Sequence, residues 1–283
     1  MDIRINGEAA DITLESEKTI GAVLAGIENW LGNSAFRVKG LEIDGKAISG
    51  DAIPEAFERE VSEIKSINIA VCTRQDLMLE ALTEARCYLA ALLNPGPATH
   101  TASSVTEGWK NSAAASFLSG ELPDVCGILD EFFKTGGTGG GLSPQSVVSL
   151  IDERIREIGD PVGEFTRMES LVSAVSERLE DLPIDIQTGK DGRAAETVSL
   201  FSNIAEKLFR LFFVFQSRGK FIDAVDSVPI HTFIEEFDVA VKELLTAYSG
   251  KDAVLVGDLA EYELAPRLRS FYIALKRPVV SLV

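Results

Sequence analysis

The stretch from Ala194 to Gln216 constrains this chain most. Val198, Phe201, Ala205 and Leu208 recur at spacings of three and four, so a helix puts them on one face. Ser199, Ser202, Asn203, Glu206 and Lys207 fall on the other sides. Beyond Leu208 that division ends. Leu211, Phe212, Phe213, Val214 and Phe215 cover every direction, and only Arg210 interrupts them. A helix that is apolar all round belongs inside a core. The pattern therefore predicts one long helix whose second half is the middle of a helical bundle. Thr188, at capping-box spacing from Asp191, or Asp191 itself signals its start, and Gly219 its stop. The apolar run is far shorter than the roughly 20 residues a membrane span needs.

Such a bundle needs apolar residues in quantity, and 46% of the 283 residues are hydrophobic. The net charge of −17 bears on function. It opposes binding to phosphate backbones, which takes clustered Lys and Arg, and to anionic membrane surfaces. Nucleic acid and membrane are thus disfavoured as partners, and protein or basic peptide surfaces remain. Cys72, Cys87 and Cys126 are odd in number and widely spaced, the pattern of buried free thiols rather than of a disulfide framework or zinc site. The opening residues MDIRINGEAADITL have no basic segment followed by an apolar one, so no signal peptide is expected and a reducing cytoplasm is the expected compartment.

Residues 1–73 read as a small α+β domain. Ile3 and Ile5 alternate with polar neighbours, as do Ile12 and Leu14, which predicts two strands over Asp2–Asn6 and Asp11–Glu15 joined at Asn6-Gly7. Thr19 opens a helix with Ile20, Val23, Leu24, Ile27, Trp30 and Leu31 in an apolar stripe, ended at Gly32-Asn33. Arg37–Ile43 returns to strand character, Asp44-Gly45 turns the chain into a short segment through Ile48, and Ile67, Ile69 and Val71 supply a last strand.

This order resembles the β-grasp fold of ubiquitin-like proteins. The opening Ile3-Arg4-Ile5-Asn6-Gly7-Glu8, the Thr19-Ile20 helix start and Leu41-Glu42-Ile43-Asp44-Gly45-Lys46 are similar to the bacterial sulfur-carrier branch of that family. The resemblance covers about a quarter of the chain. It implies chemistry on a free C-terminal Gly-Gly, and here the last strand runs through Val71-Cys72-Thr73-Arg74-Gln75 into a helix instead. The domain therefore reads as a docking module, with sheet edges suited to strand addition.

Residues 74–283 read as an all-helical bundle. Helices are predicted over Asp76–Leu93, ended by Asn94-Pro95-Gly96-Pro97, over Val105–Leu118 with Trp109 and Phe117 inward, and over Pro123–Lys134, with a loop at Ala98–Ser104. Gly136–Gly141 lacks the preceding strand and the Gly-Lys-Ser/Thr of a phosphate loop and reads as a flexible connector. Ser143-Pro144 and Asp160-Pro161 each open a helix. The first buries Val147, Val148, Ile151, Ile155 and Ile158, and the second Phe165, Met168, Leu171, Val172, Val175 and Leu179. Pro183 stops the second, and a connector through Gly192 carries Ile184 and Ile186. Val228-Pro229 opens a helix ended at Gly250, with Phe233, Phe237, Leu244 and Leu245 among its inward residues. Asp258 and Glu261 have capping-box spacing for a last helix carrying Tyr262 and Ile273, which Pro266 should kink. The apolar tail Val279–Val283 is expected to dock or to meet a second copy of the chain.

No sharp catalytic signature accompanies this architecture. His100 and His231 stand alone, so neither belongs to a transition-metal cluster. Acidic pairs occur at Asp152 and Glu153, Glu235 and Glu236, Glu261 and Glu263, and Glu177 with Glu180 and Asp181. Paired carboxylates can bind a divalent metal or divide acid and base roles, and Glu235 with Asp238 is the best metal candidate. Two readings result. One is a non-enzymatic cytoplasmic adaptor or scaffold that binds protein partners, with no cofactor, no metal and no catalytic residue. The other is an enzyme or ligand-binding bundle whose site is assembled from dispersed carboxylates.

Overall fold

The computed structural model describes residues 1–14, 17–32, 36–48, 52–94, 102–137 and 141–280, with side chains to Arg277. The fold class is α+β, a small N-terminal sheet followed by a mostly helical region. By compactness the chain divides into two units, Met1–Asp152 and Glu153–Val283.

The first unit begins with five strands: β1 (Asp2–Ile5), β2 (Glu8–Ala9), β3 (Phe36–Ile43), β4 (Lys46–Ala47) and β5 (Ser66–Thr73). Their order is β2-β1-β5-β3-β4, with β1 parallel to β5 and the other pairs antiparallel. Helices α1 (Ile20–Leu31) and α2 (Ile53–Glu58) complete the module. Its core is built from residues between Ile3 and Ile69, including Ile20, Ile27, Ile43 and Ile67. Both hairpins turn on residues with positive φ at the two central positions, Asn6-Gly7 (50° and 84°) and Asp44-Gly45 (50° and 77°). The turn side chains also tie into β5. The Asn6 amide pairs with both backbone groups of Val71 (2.8 and 3.0 Å), and Asp44 Oδ1 accepts from the amides of Lys65 (2.9 Å) and Ser66 (3.0 Å).

The tight first turn corrects the expected second strand. It fixes Ile5 opposite Glu8 and Arg4 opposite Ala9, so β2 is Glu8–Ala9 and not Asp11–Glu15. After Ala10 donates to the Ile3 carbonyl (2.9 Å), the Ile12 amide turns back to the Ala10 carbonyl (2.9 Å) and the chain leaves the ladder. Ile12 and Leu14 then pack against the core from an irregular segment. Glu15 lies outside the described residues.

Thr73 ends β5 and also caps α3 (Arg74–Leu93), with a reciprocal capping box to Asp76. Helices α4 (Ala102–Lys110), α5 (Ala113–Glu121) and α6 (Pro123–Lys134) follow. The single helix expected over Val105–Leu118 is two, because Ser112 turns the chain and accepts the Ala115 amide (3.0 Å) as a new N-cap. The loop expected through Ser104 gives way to helix at Ala102. Trp109 is wholly buried beside Tyr88 and Phe133 and donates Nε1–H to Asp130 (2.8 Å). The boundary expected after Thr73 thus falls inside the first compact unit, between the sheet core and these helices. His100, Thr138–Gly140 and most of the Asn94–Pro97 terminator lie outside the described residues.

Helix α7 (Pro144–Gly159), opened by Ser143, runs into the second unit. There α8 (Pro161–Glu180), α9 (Leu182–Gln187), α10 (Asp191–Ser217), a small hairpin of β6 (Ala224–Val225) and β7 (Val228–Pro229), α11 (Ile230–Ser249), α12 (Ala253–Asp258) and α13 (Ala265–Val280) build one core. The connector expected after Pro183 contains α9, because Pro183 sits in the first turn of a helix, where its missing N–H costs nothing. Ile184 is exposed as a result. Helix α10 is longer than predicted, and neither Thr188 nor Asp191 is its N-cap. Lys190 takes that place without a side-chain capping bond, while the Thr188 hydroxyl donates to the Ile184 carbonyl (2.7 Å). Its end is a Schellman turn, with Lys220 N–H on the Phe215 carbonyl, Gly219 N–H on the Gln216 carbonyl and Gly219 at φ 73°.

Several residues expected inside lie outside. Leu211, Phe212 and Phe215 are buried, but Phe213 is 56% exposed, so the second half of α10 still has a wet side. Leu171, Leu245, Tyr262 and Ile273 are exposed as well. They flank buried positions by about one residue step, where a stripe read from sequence is widest and least decisive. The last helix is not capped by Asp258. Asp252 caps α12 instead, accepting the Leu255 amide (3.1 Å), and the helix continues through a π-helical turn, Leu259–Leu264, into α13. The wider turn, with Ala265 N–H on the Ala260 carbonyl, comes immediately before Pro266 and accommodates its missing donor without ending the helix. The side chains of the Val279–Val283 tail lie outside the described residues.

Candidate functional site

Two features stand out from this packing: an apolar cleft in the sheet module and a buried ion-pair cluster in the second unit. The cleft, about 560 Å³, opens between the irregular segment after β2 and one side of α1. Ile5, Ile12, Leu14, Val23 and Ile27 line it together with Thr13, Gly26 and Trp30. Val23, Gly26 and Trp30 lie on one side of α1, because positions three and seven apart fall along one line of a helix. Trp30, expected in the buried stripe, is 69% exposed.

Gly26 lines the cleft from the α1 side. A glycine inside a helix costs about 1 kcal/mol relative to alanine, so its presence asks for a reason. At Gly21, in the same helix, the reason is contact: an added Cβ would lie 3.2 Å from the Phe57 carbonyl oxygen. At Gly26 an added Cβ would meet nothing within 4 Å. A side chain there would stand in the cleft. Asp11 and Glu17 also line it, and among the described residues no Lys or Arg does.

The second feature runs along Lys207 and Arg210 of α10. Glu157, 2% exposed, receives a bidentate pair from Arg210 (Nε and Nη2, both 2.9 Å) and a second guanidinium from Arg154 (Nη1, 3.0 and 3.2 Å). Glu164, also buried, is held by Lys207 (2.8 Å), Arg156 (3.1 Å) and Arg167. Lys207 reaches Glu153 as well (3.0 Å), and Arg210 reaches Glu206 (2.5 Å). Burial pushes the Glu153 and Glu164 carboxyls up. The Lys207 hydrogen bond and the surrounding guanidinium charges outweigh it and hold both below the usual carboxylate range. The same carboxylates hold the Lys207 ammonium above its ordinary value, against burial.

The acidic pairs nominated by sequence are largely committed to cations. Asp152 pairs with Arg86 (2.8 Å), Glu236 and Glu263 with Arg267 (2.9 Å each), Glu180 with Arg269 (2.5 Å) and Asp181 with Arg193 (3.6 Å). Asp238, of the metal candidate Glu235 with Asp238, pairs with Lys242 (2.5 Å). Among the described residues no group of three or more His, Cys, Asp or Glu is placed to hold a metal. Cys126 is buried, Cys72 half-buried and Cys87 exposed, which corrects the expectation of three buried thiols. Cys87 looks outward because α3 turns its Ala81, Leu82, Ala85 and Leu89 face inward. Among the described residues no helix is long and apolar enough to cross a membrane. Both sheet edges are two-residue strands, which leaves an added strand few ladder bonds.

Residues 1–73 match the family model of the TP0873 N-terminal domain, and residues 164–273 match a domain of unknown function, DUF8042. The chain is similar to an uncharacterized protein of Treponema pallidum (strain Nichols), with 21% identity over 272 residues, 95% of this chain and 93% of that protein. No solved structure matches it.

Proposed function

We propose that the chain is a non-enzymatic cytoplasmic adaptor or scaffold that docks a protein partner through a β-grasp module carried on helices. The observation that carries this reading is Trp30, exposed beside an apolar cleft that Gly26 leaves open. Tryptophan is among the side chains most often found at the energetic centre of a protein interface, and here its exposed indole borders an apolar cleft. The strand order, with β1 parallel to β5 and a helix on the core side of the sheet, supports the β-grasp assignment. Three free cysteines accord with a reducing compartment. The commitment of carboxylates to ion pairs favours the adaptor over a site made of dispersed acids.

The test compares the proteins captured by the full chain and by its Trp30→Ala variant, quantified side by side. A partner lost in the variant supports docking at the cleft. An unchanged set removes the docking role from the module. Turnover of a metabolite by the purified protein, abolished by Glu235→Ala or Asp238→Ala, replaces the adaptor with an enzyme.

A further inference from the structure

We infer that the occupant of the Trp30 cleft is a linear protein segment that inserts an aromatic or leucine-like side chain and carries Lys or Arg beside it. The inference rests on the docking reading above and names the chemistry of its partner. The lining is mostly apolar, from Ile5, Ile12, Leu14, Val23 and Ile27 beside Thr13, and among the described lining residues there is no cation to meet a carboxylate. An inserted group must therefore be apolar, since an unpaired charge or polar group placed there loses its water without compensation.

The rim sets the flanks. Asp11 and Glu17 border the opening, and the module from Met1 to Thr73 holds thirteen Asp and Glu against seven Lys and Arg. An acidic segment or an anionic lipid surface meets like charge there, whereas a basic one is drawn in. The size of the opening suits a side-chain anchor better than a folded face: about 560 Å³ at one side of a single 12-residue helix. Gly26 lines the cleft, and an added side chain there would meet no other atom within 4 Å of its Cβ.

The experiment pans a display library of random short peptides against the full chain, then titrates the enriched peptides with four proteins. These are wild type, Trp30→Ala, Gly26→Leu and Asp11→Lys. Each variant changes an exposed residue, and leucine raises helix propensity over glycine, so unchanged far-UV circular dichroism is expected throughout. Enriched sequences should pair Trp, Phe or Leu with Lys or Arg. Binding should weaken at least about 30-fold in Trp30→Ala and at least about tenfold in Gly26→Leu. Asp11→Lys should weaken it several-fold and flatten its dependence on salt.

Enriched sequences without that pairing overturn the inference, as does binding within about twofold of wild type in both cleft variants; the adaptor reading survives either result, because its own test is the captured-partner comparison. Two further results also overturn it. One is a dimer in sedimentation that Trp30→Ala dissolves, which makes a second copy the occupant. The other is Trp30-dependent binding to vesicles of anionic lipid.

Discussion

Glu157→Gln is the sharpest test of how the second unit is held together. Glu157 is 2% exposed, and its two oxygens take four contacts of 2.9–3.2 Å from Arg154 and Arg210. Arg154 is itself 8% exposed, so water cannot replace the lost counter-charge. Exposed ion pairs contribute about 0–1 kcal/mol, but removing one partner of a buried pair costs about 3–5 kcal/mol, because the other charge stays buried. Glutamine keeps the volume and one acceptor, which puts the expected loss at the lower end, about 3 kcal/mol. With a urea slope of about 2 kcal/mol/M, that moves the midpoint down by about 1.5 M. The assay is urea unfolding by far-UV circular dichroism, with tryptophan emission recorded in parallel. Both tryptophans, Trp30 and Trp109, lie in the first unit, so their signal separates a loss confined to the second unit from a global one. A triple variant, Glu157→Leu with Arg154→Met and Arg210→Met, should recover most of the loss, since apolar residues of similar volume replace buried ion clusters at little cost. A midpoint shift under about 0.5 M for the single variant, or a triple variant weaker than the single, refutes the reasoning.

Other outcomes follow from the same packing. Phe212→Ala should lose about 3–5 kcal/mol, while its exposed neighbour Phe213→Ala stays within about 1 kcal/mol; equal melting temperatures for the two would refute the assigned faces of α10. Glu153 and Glu164 titrate lower folded than unfolded, so their stabilisation is present above the unfolded value near 4.3 and lost as the pH falls through the folded values. Melting temperature should therefore drop below about pH 4, and Lys207→Met should make that drop smaller. Residues 1–73 expressed alone should melt cooperatively, because among the described residues their core draws on none beyond Val71; a broad, non-cooperative melt counts against it.

The parts of the fold legible in the sequence are those fixed by local chemistry. Pro123–Lys134, the caps at Thr19, Ser143 and Asp160, and the turns at Asn6-Gly7 and Asp44-Gly45 each depend on neighbours within a few residues. Faces were less legible. Trp30 follows Val23 by seven and Ile27 by three, the spacing of a core position, and nothing in that spacing says that the opposing segment stops short of it. Only tertiary placement of Ile12 and Leu14 leaves the indole in water. A glycine in the middle of an amphipathic helix, four residues before a tryptophan, is the signal that could have marked the cleft. Arg154 and Glu157 stayed hidden for the converse reason. They lie among Ile151, Ile155 and Ile158 and look like ordinary polar positions until Arg210 arrives from α10.

Thr73 is at once the last residue of β5 and the N-cap of α3, and the same segment receives the Asn6 amide two residues earlier. A module hung on a flexible tether offers its partner a volume to search, set by linker length. A module that shares a residue with the next helix offers a direction. The strand passes into the helix through one capping residue, so the direction in which β5 leaves the sheet is also the start of α3, with no linker between them. Inserting a Gly-Ser pair after Thr73 would turn that joint into a hinge without touching either core.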